Sequence, residues 1–235
     1  MRGIPLAWLF VLAFGFSSAP AHADVEGDRW SADIAAFEAA DRLRPPAAGG
    51  VLFIGSSSIR LWDTLGADFP GVPVLRRGFG GSEVRDATRH AARIVVPYRP
   101  RLVVLYSGDN DLAAGRTPVQ VRDDVAAFVA RVRRDLPGAA FAWIAIKPSP
   151  ARANLLDAAR EANALVAAWM RGVRNAHYID VFTPMLDAAG RAREDVYGPD
   201  GLHMNRAGYA LWAERIRPVI ARALPAAAGD TDAPD

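Results

Sequence analysis

Val51-Leu52-Phe53-Ile54-Gly55-Ser56-Ser57-Ser58-Ile59-Arg60-Leu61-Trp62 reads as a strand that runs into a helix. Val51 to Ile54 are apolar without polar alternation, the pattern of a strand buried on both faces. Gly55 permits a sharp turn, and the serines after it can cap a helix. Ile59, Leu61, Trp62 and Leu65 then predict that helix, packed back against the strand. Such a junction puts a hydroxyl at a helix N-terminus. Free backbone N–H groups and the positive end of the helix dipole lie there, and both favour a developing negative charge. The same serines also serve as ordinary helix caps, so other segments must decide between the two readings.

Downstream, strand and helix patterns alternate. Val72 to Leu75 is a short strand candidate, followed by the loop Arg76-Arg77-Gly78-Phe79-Gly80-Gly81-Ser82 and a helix over Glu83 to Val95. Leu102 to Tyr106 is the clearest buried strand and ends in Ser107-Gly108-Asp109-Asn110-Asp111. Thr117-Pro118 is an N-cap with proline at the first helical position. Val121, Val125, Phe128, Val129, Val132 and Leu136 then repeat at helical spacing. Phe141 to Ile146 predicts a strand, Leu155 to Met170 an amphipathic helix, and Tyr178 to Val181 the last strand. A long loop reaches Asp200 and His203, and the final helix carries Tyr209, Leu211, Trp212, Ile216 and Ile220. This alternation predicts one α/β domain over 24–224, built on a doubly wound parallel sheet with both faces covered. Functional loops of such a sheet leave the carboxyl ends of the strands.

Upstream, Asp28 to Leu43 predicts a surface helix through Trp30, Ile34, Phe37 and Leu43, and residues 24–49 form this helix and its linker. Met1 to Ala23 reads as a secretory signal peptide. Arg2 supplies the positive start, Ala7 to Phe16 the apolar core, and Ala21-His22-Ala23 the small residues before cleavage at Asp24. The apolar run is too short for the roughly 20 residues of a membrane span, so the expectation is export to the periplasm or medium without stable membrane insertion. Residues 225–235 are polar and Ala- and Pro-rich, and predict a disordered tail.

Composition excludes several chemistries. The chain has no cysteine, so thiolate nucleophiles, disulfides and cysteine-ligated zinc are ruled out. A net charge of +2 gives no reason to expect nucleic acid. Lys147 is the single lysine, and the basic balance is carried by arginine.

The unusual polar residues fall at the expected strand ends: Ser56 to Ser58 after the first strand, Gly78 to Ser82 after the second, Gly108 to Asp111 after the third. Asp200 and His203 lie just before the last helix, three residues apart, which puts them one turn from each other. A nucleophile, an oxyanion donor and a base with its orienting carboxylate must converge in this way. Each residue also has a plainer reading: Ser57 as a cap, Gly81 as a bend, Asn110 as a turn residue, Asp200 as the N-cap of the last helix. Of the other histidines, His90 reads as a surface or boundary residue of a helix. His177 precedes the last strand and Asp180 lies three residues later, and positions three apart in extended chain face opposite sides.

In this arrangement the chain resembles the SGNH hydrolases of the GDSL-type esterase superfamily. Gly55-Ser56-Ser57 is similar to that family's first block, Gly78-Phe79-Gly80-Gly81-Ser82 to its second, Gly108-Asp109-Asn110-Asp111 to its third and Asp200-Gly201-Leu202-His203 to its last. The resemblance implies a flavodoxin-like three-layer α/β/α sandwich. It also implies Ser57 as nucleophile, His203 as base, Asp200 as its orienting carboxylate, and Gly81 and Asn110 as oxyanion donors, with no metal or cofactor. Ser56 and Ser82 depart from the family, which usually has aspartate at the first position and often at the second. The implied activity is hydrolysis of carboxylic esters, with an acetyl or other short acyl group, on a carbohydrate or another small molecule, as the substrate. A thioesterase or lysophospholipase remains open within the same chemistry, with Phe79, Trp62 and Tyr106 as candidate acyl-pocket residues. A non-catalytic exported carbohydrate-binding module remains open outside it.

Overall fold

Val51–Gly55 forms β1, with every residue buried. It lies between β2 (Val74–Gly78) and β3 (Leu102–Tyr106), with β4 (Ala140–Ile144) and β5 (Ala176–Ile179) continuing outward from β3. All pairings are parallel and the strand order is β2-β1-β3-β4-β5. Gly55 stands level with Gly78 on one side and Tyr106 on the other, so the first three strands end together. The winding direction reverses between β1 and β3, and the crevice beyond the strand ends at such a switch point is where ligands bind. The structure is a computed structural model that describes residues 28–224. The expected signal peptide and C-terminal tail lie outside the described residues.

Eight α-helices are described: α1 (Ser31–Leu43), α2 (Ser57–Arg60), α3 (Leu65–Asp68), α4 (Val84–Ile94), α5 (Asp109–Ala113), α6 (Pro118–Asp135), α7 (Leu156–Met170) and α8 (Arg206–Ala223). Alternate strand residues point to opposite faces, and the two faces carry different helices. Phe141 of β4 meets Phe128 of α6, and α1, α4, α6 and α7 pack side by side there. Phe53 of β1 and Tyr106 of β3 point the other way, toward Trp62 and Trp212. Trp62 also stacks on Tyr209 at 5.2 Å, which seats α8 against the segment after β1. The result is the three-layer sandwich expected from the alternation.

Several boundaries differ from the sequence reading, each for a local reason. The helix expected through Leu65 breaks after α2, a single turn. Asp68 collects the chain there, accepting from Trp62 Nε1 and Thr64 Oγ1 at 2.7 Å each, and α3 follows as a separate turn. Arg206 at the start of α8 completes the Asp68 shell at 2.5 and 3.1 Å. This carboxylate therefore ties the segment after β1 to the entry of α8. The second strand runs Val74–Gly78 and not Val72 to Leu75, so it includes two arginines. Arg77 is tolerated there because Asp41 of α1 and the Tyr98 hydroxyl hold its guanidinium at 2.5 and 3.0 Å.

The fourth strand stops at Ile144, short of Ile146, because Asn163 of α7 takes over its pairing. Its side chain accepts from Ile146 N at 2.8 Å and donates to Ile146 O at 2.9 Å. The fifth strand lies earlier than expected, at Ala176–Ile179. His90 is not a surface residue. It is 3% exposed, on the same face of α4 as Val84, Ala87, Ala91 and Ile94, with Nε2 3.2 Å from Asp28 Oδ1. Arg89 beside it in sequence lies on the more open side of the helix, and that neighbour makes the position look polar.

Candidate active site

The sharp exit from β1 requires glycine at position 55. Its φ is +143°, and a Cβ there would lie 1.8 Å from the Tyr106 carbonyl oxygen. Ser56 follows as the extended N-cap of α2, leaving Ser57 as the first helical residue. Ser56 and Ser58 are buried, whereas Ser57 is half-buried at the crevice. The three serines are thereby distinguished by direction alone, as successive helical positions diverge by about 100°.

Asp200 and His203 approach from the opposite side on the loop before α8. They are not on a helical turn. Asp200 closes the loop through its own carboxylate, whose Oδ1 accepts from the backbone N–H groups of Leu202 and His203 at 2.9 Å each. The cap of α8 is Asn205, with Oδ1 accepting from Ala207 N and Gly208 N. This leaves Asp200 Oδ2 free to face His203 Nδ1 at 2.6 Å, while His203 Nε2 lies 2.9 Å from Ser57 Oγ. The backbone N–H groups of His203 and Leu202, and then the His203 ring, hold the Asp200 carboxyl well below the usual carboxylate range. An ionised carboxylate on Nδ1 fixes the ring so that Nε2 can accept the hydroxyl proton.

The loops after β2 and β3 form the third wall. Phe79 N continues the sheet by donating to Gly55 O at 2.9 Å, after which Gly81 adopts φ +76°. Its N–H has no acceptor among the described residues. Trp30, at the entry to α1, donates from Nε1 to Gly80 O at 2.9 Å, so the N-terminal segment braces this loop. Asn110 Nδ2 donates to Ser82 O at 3.0 Å, and Asn110 Oδ1 accepts from Arg152 Nη2 at 2.9 Å. The loop residues Gly81 and Ser82 and the start of α5 are therefore stitched together, with one Asn110 amide hydrogen to spare.

Asp111 strengthens the same seam, with Oδ1 accepting from Val84 N at 3.0 Å. Its Oδ2 is buried and has no partner among the described residues. Burial pushes the carboxyl up to about 7, against the lowering effect of the Val84 hydrogen bond. Between roughly pH 4 and pH 7 the folded chain therefore holds a proton that the unfolded chain has released, and stability falls as pH rises through that window. Asp111→Asn removes the titration and keeps an acceptor for Val84. The variant should lose less stability than wild type between pH 5 and pH 8, by up to about 3 kcal/mol at roughly 1.4 kcal/mol per unit. Urea unfolding at the two pH values measures this. Equal losses in both proteins would show that Asp111 ionises freely.

Residues 51–211 match the GDSL-like lipase/acylhydrolase family. The chain belongs to that family. It is accordingly a hydrolase acting on esters, and the SGNH resemblance read from its four blocks is borne out at the level of the superfamily. Solved structures share its fold at low identity. A GDSL-like lipase from Bacteroides thetaiotaomicron is 19% identical with a TM-score of 0.70, covering 82% of this chain and 99% of that one. A member of the lipolytic G-D-S-L family from Veillonella parvula is 20% identical with a TM-score of 0.61, covering 74% and 100%. An acetylxylan esterase from Geobacillus stearothermophilus is 14% identical with a TM-score of 0.60, covering 74% and 95%. No curated protein sequence matches the chain.

The fold brings Ser57, Asp200 and His203 into one hydrogen-bonded chain and places Gly81 on the adjoining loop after β2 and Asn110 in the first turn of α5. Phe79, Trp62 and Tyr106 are fully buried core residues and line no open acyl pocket. Sequence reading misses Arg152, which has no motif, and assigns Trp30 only to helix packing. The sequence does hold one signal for the polar cluster behind Asn110: Lys147, the single lysine, sits just past a buried strand.

Proposed function

We propose that this GDSL-family member is an exported serine esterase that removes short acyl groups, acetyl above all, from carbohydrate or other small alcohols. The observation that carries the reading is the uninterrupted chain from Ser57 Oγ to His203 Nε2 at 2.9 Å and from His203 Nδ1 to Asp200 at 2.6 Å. His203 takes the Ser57 proton as Oγ attacks the ester carbonyl carbon, and Asp200 stabilises the imidazolium. The N–H groups of Gly81 and Ser57 and the free hydrogen of Asn110 Nδ2 receive the oxyanion. Collapse of the tetrahedral intermediate breaks the bond to the alcohol, which leaves with the proton from His203. Water then attacks the acyl-Ser57 ester with His203 again as base, and the carboxylic acid is released.

Two features support a short acyl group. Phe79, Trp62 and Tyr106 are fully packed in the core, so none of the three is available to line a pocket for a long chain. An acetylxylan esterase is among the proteins that share the fold. Turnover of p-nitrophenyl acetate should exceed that of the octanoate by at least about tenfold in kcat/KM, the scale of a few methylenes left unburied, and acetylated xylo-oligosaccharides should release acetate. A preference for the octanoate would overturn the short-acyl assignment and favour a lysophospholipase. Export rests on the first 23 residues. The mature protein should begin at Asp24 by intact mass, and a mass retaining the apolar segment would refute export by this route.

A further inference from the structure

Lys147, just beyond β4, is 3% exposed. Its Nζ lies 3.1 Å from Asp109 Oδ2 and 3.3 Å from the Tyr106 hydroxyl. The same Asp109 oxygen is 3.2 Å from Arg152 Nη1. Burial alone would raise the Asp109 carboxyl, but the charges of Lys147 and Arg152 outweigh it and keep the group below its ordinary value. Two cations thus share one carboxylate, and the cluster is net positive. Buried ion clusters are poor sources of stability, since desolvation cancels much of the attraction. This one has an outlet toward the reacting groups. Arg152 Nη2 donates to Asn110 Oδ1 at 2.9 Å.

That contact constrains Asn110 in two ways. A guanidinium has donors and no acceptor, so only the oxygen end of the amide can face it. Nδ2 is then turned toward Ser82 O and the crevice. The guanidinium charge facing Oδ1 also polarises the amide, which makes its remaining N–H a stronger donor. Arg152 is itself fixed, because the neighbouring Ala151 N donates to Gly201 O at 3.1 Å, on the loop that carries Asp200 and His203. We propose that Arg152, held by Asp109, whose carboxylate Lys147 fixes in turn, is a positioning residue that orients and polarises Asn110 for the oxyanion. The proposal rests on the reading of Asn110 as an oxyanion donor.

The test is a double-mutant cycle in the full chain, with kcat and KM measured on p-nitrophenyl acetate. Arg152→Met should lower kcat about 10-fold or more, the usual scale for a residue that supports a reacting group, with KM little changed. In an Asn110→Ala background the same substitution should cost almost nothing further, because its route of action is gone. Arg152→Lys keeps a cation for Asp109 but loses the fork that reaches both partners. It covers the case in which the methionine variant does not fold, and should show a smaller kcat loss that also vanishes beside Asn110→Ala. Undiminished kcat in the folded Arg152 variants, or equal losses in both backgrounds, would overturn the proposal. Unchanged kcat in Asn110→Ala alone would instead overturn the assignment of Asn110 on which it rests.

Discussion

Ser57→Ala should lower kcat/KM for p-nitrophenyl acetate by on the order of 10⁴–10⁶ and abolish labelling by a fluorophosphonate probe. The size comes from the chemistry. Without Oγ no acyl-enzyme forms, and the residual rate is water attack aided by the remaining oxyanion donors. The neighbouring serines cannot substitute. Ser56 and Ser58 are buried and have no partner at Oγ among the described residues, whereas Ser57 Oγ is the one at 2.9 Å from His203 Nε2. Ser56→Ala and Ser58→Ala should therefore keep the label, and because neither Oγ makes a hydrogen bond among the described residues their stability should fall by no more than about 1 kcal/mol. Peptide mapping of the adduct reads the result directly. An adduct on Ser58 would shift the register of the first block by one residue and leave the esterase chemistry standing.

The centre of the sheet is legible in the sequence because two of its strands, Val51–Gly55 and Leu102–Tyr106, are short apolar runs that end in glycine-containing turns. Leu102–Tyr106 can be placed to the residue, since its five buried positions are all apolar and its flanks are not. Val74–Gly78 cannot, because its two arginines look like a loop until Asp41 and Tyr98 are seen to neutralise Arg77. That compensation comes from 21 or more residues away and leaves no local trace. The site shows the same division. Ser57, Gly81, Asn110, Asp200 and His203 can be named as candidates because the short blocks that hold them resemble those of the SGNH hydrolases. Arg152 cannot, since it reaches Asn110 across 42 positions from a stretch of short 3₁₀ turns. His90 misleads for a related reason: Arg89 and Arg93 suggest a solvent face, while the spacing from Val84 and Ala87 through Ala91 to Ile94 places it toward the core.

Asn110→Ala should reduce kcat by roughly 10²–10³, the common cost of one oxyanion donor, and leave KM within a few-fold of wild type. The asymmetry arises because the ester carbonyl is nearly neutral in the bound substrate and anionic in the tetrahedral intermediate. A donor aimed at the anion discriminates between the two states and so acts on kcat. The substitution also removes the bond from Nδ2 to Ser82 O at 3.0 Å, which joins the loop after β2 to the start of α5. That loss should cost about 1 kcal/mol in stability, too little to unfold the chain and measurable by urea titration. Asn110→Asp separates the two contributions. The carboxylate can still accept from Arg152, now as an ion pair, but offers Ser82 O and the oxyanion no hydrogen and adds negative charge where negative charge must develop. Its kcat should therefore lie below that of the alanine variant even where its folding stability is higher. A rise in KM with kcat held, in either variant, would make Asn110 a substrate-binding group and leave Gly81 and Ser57 as the donors that receive the oxyanion.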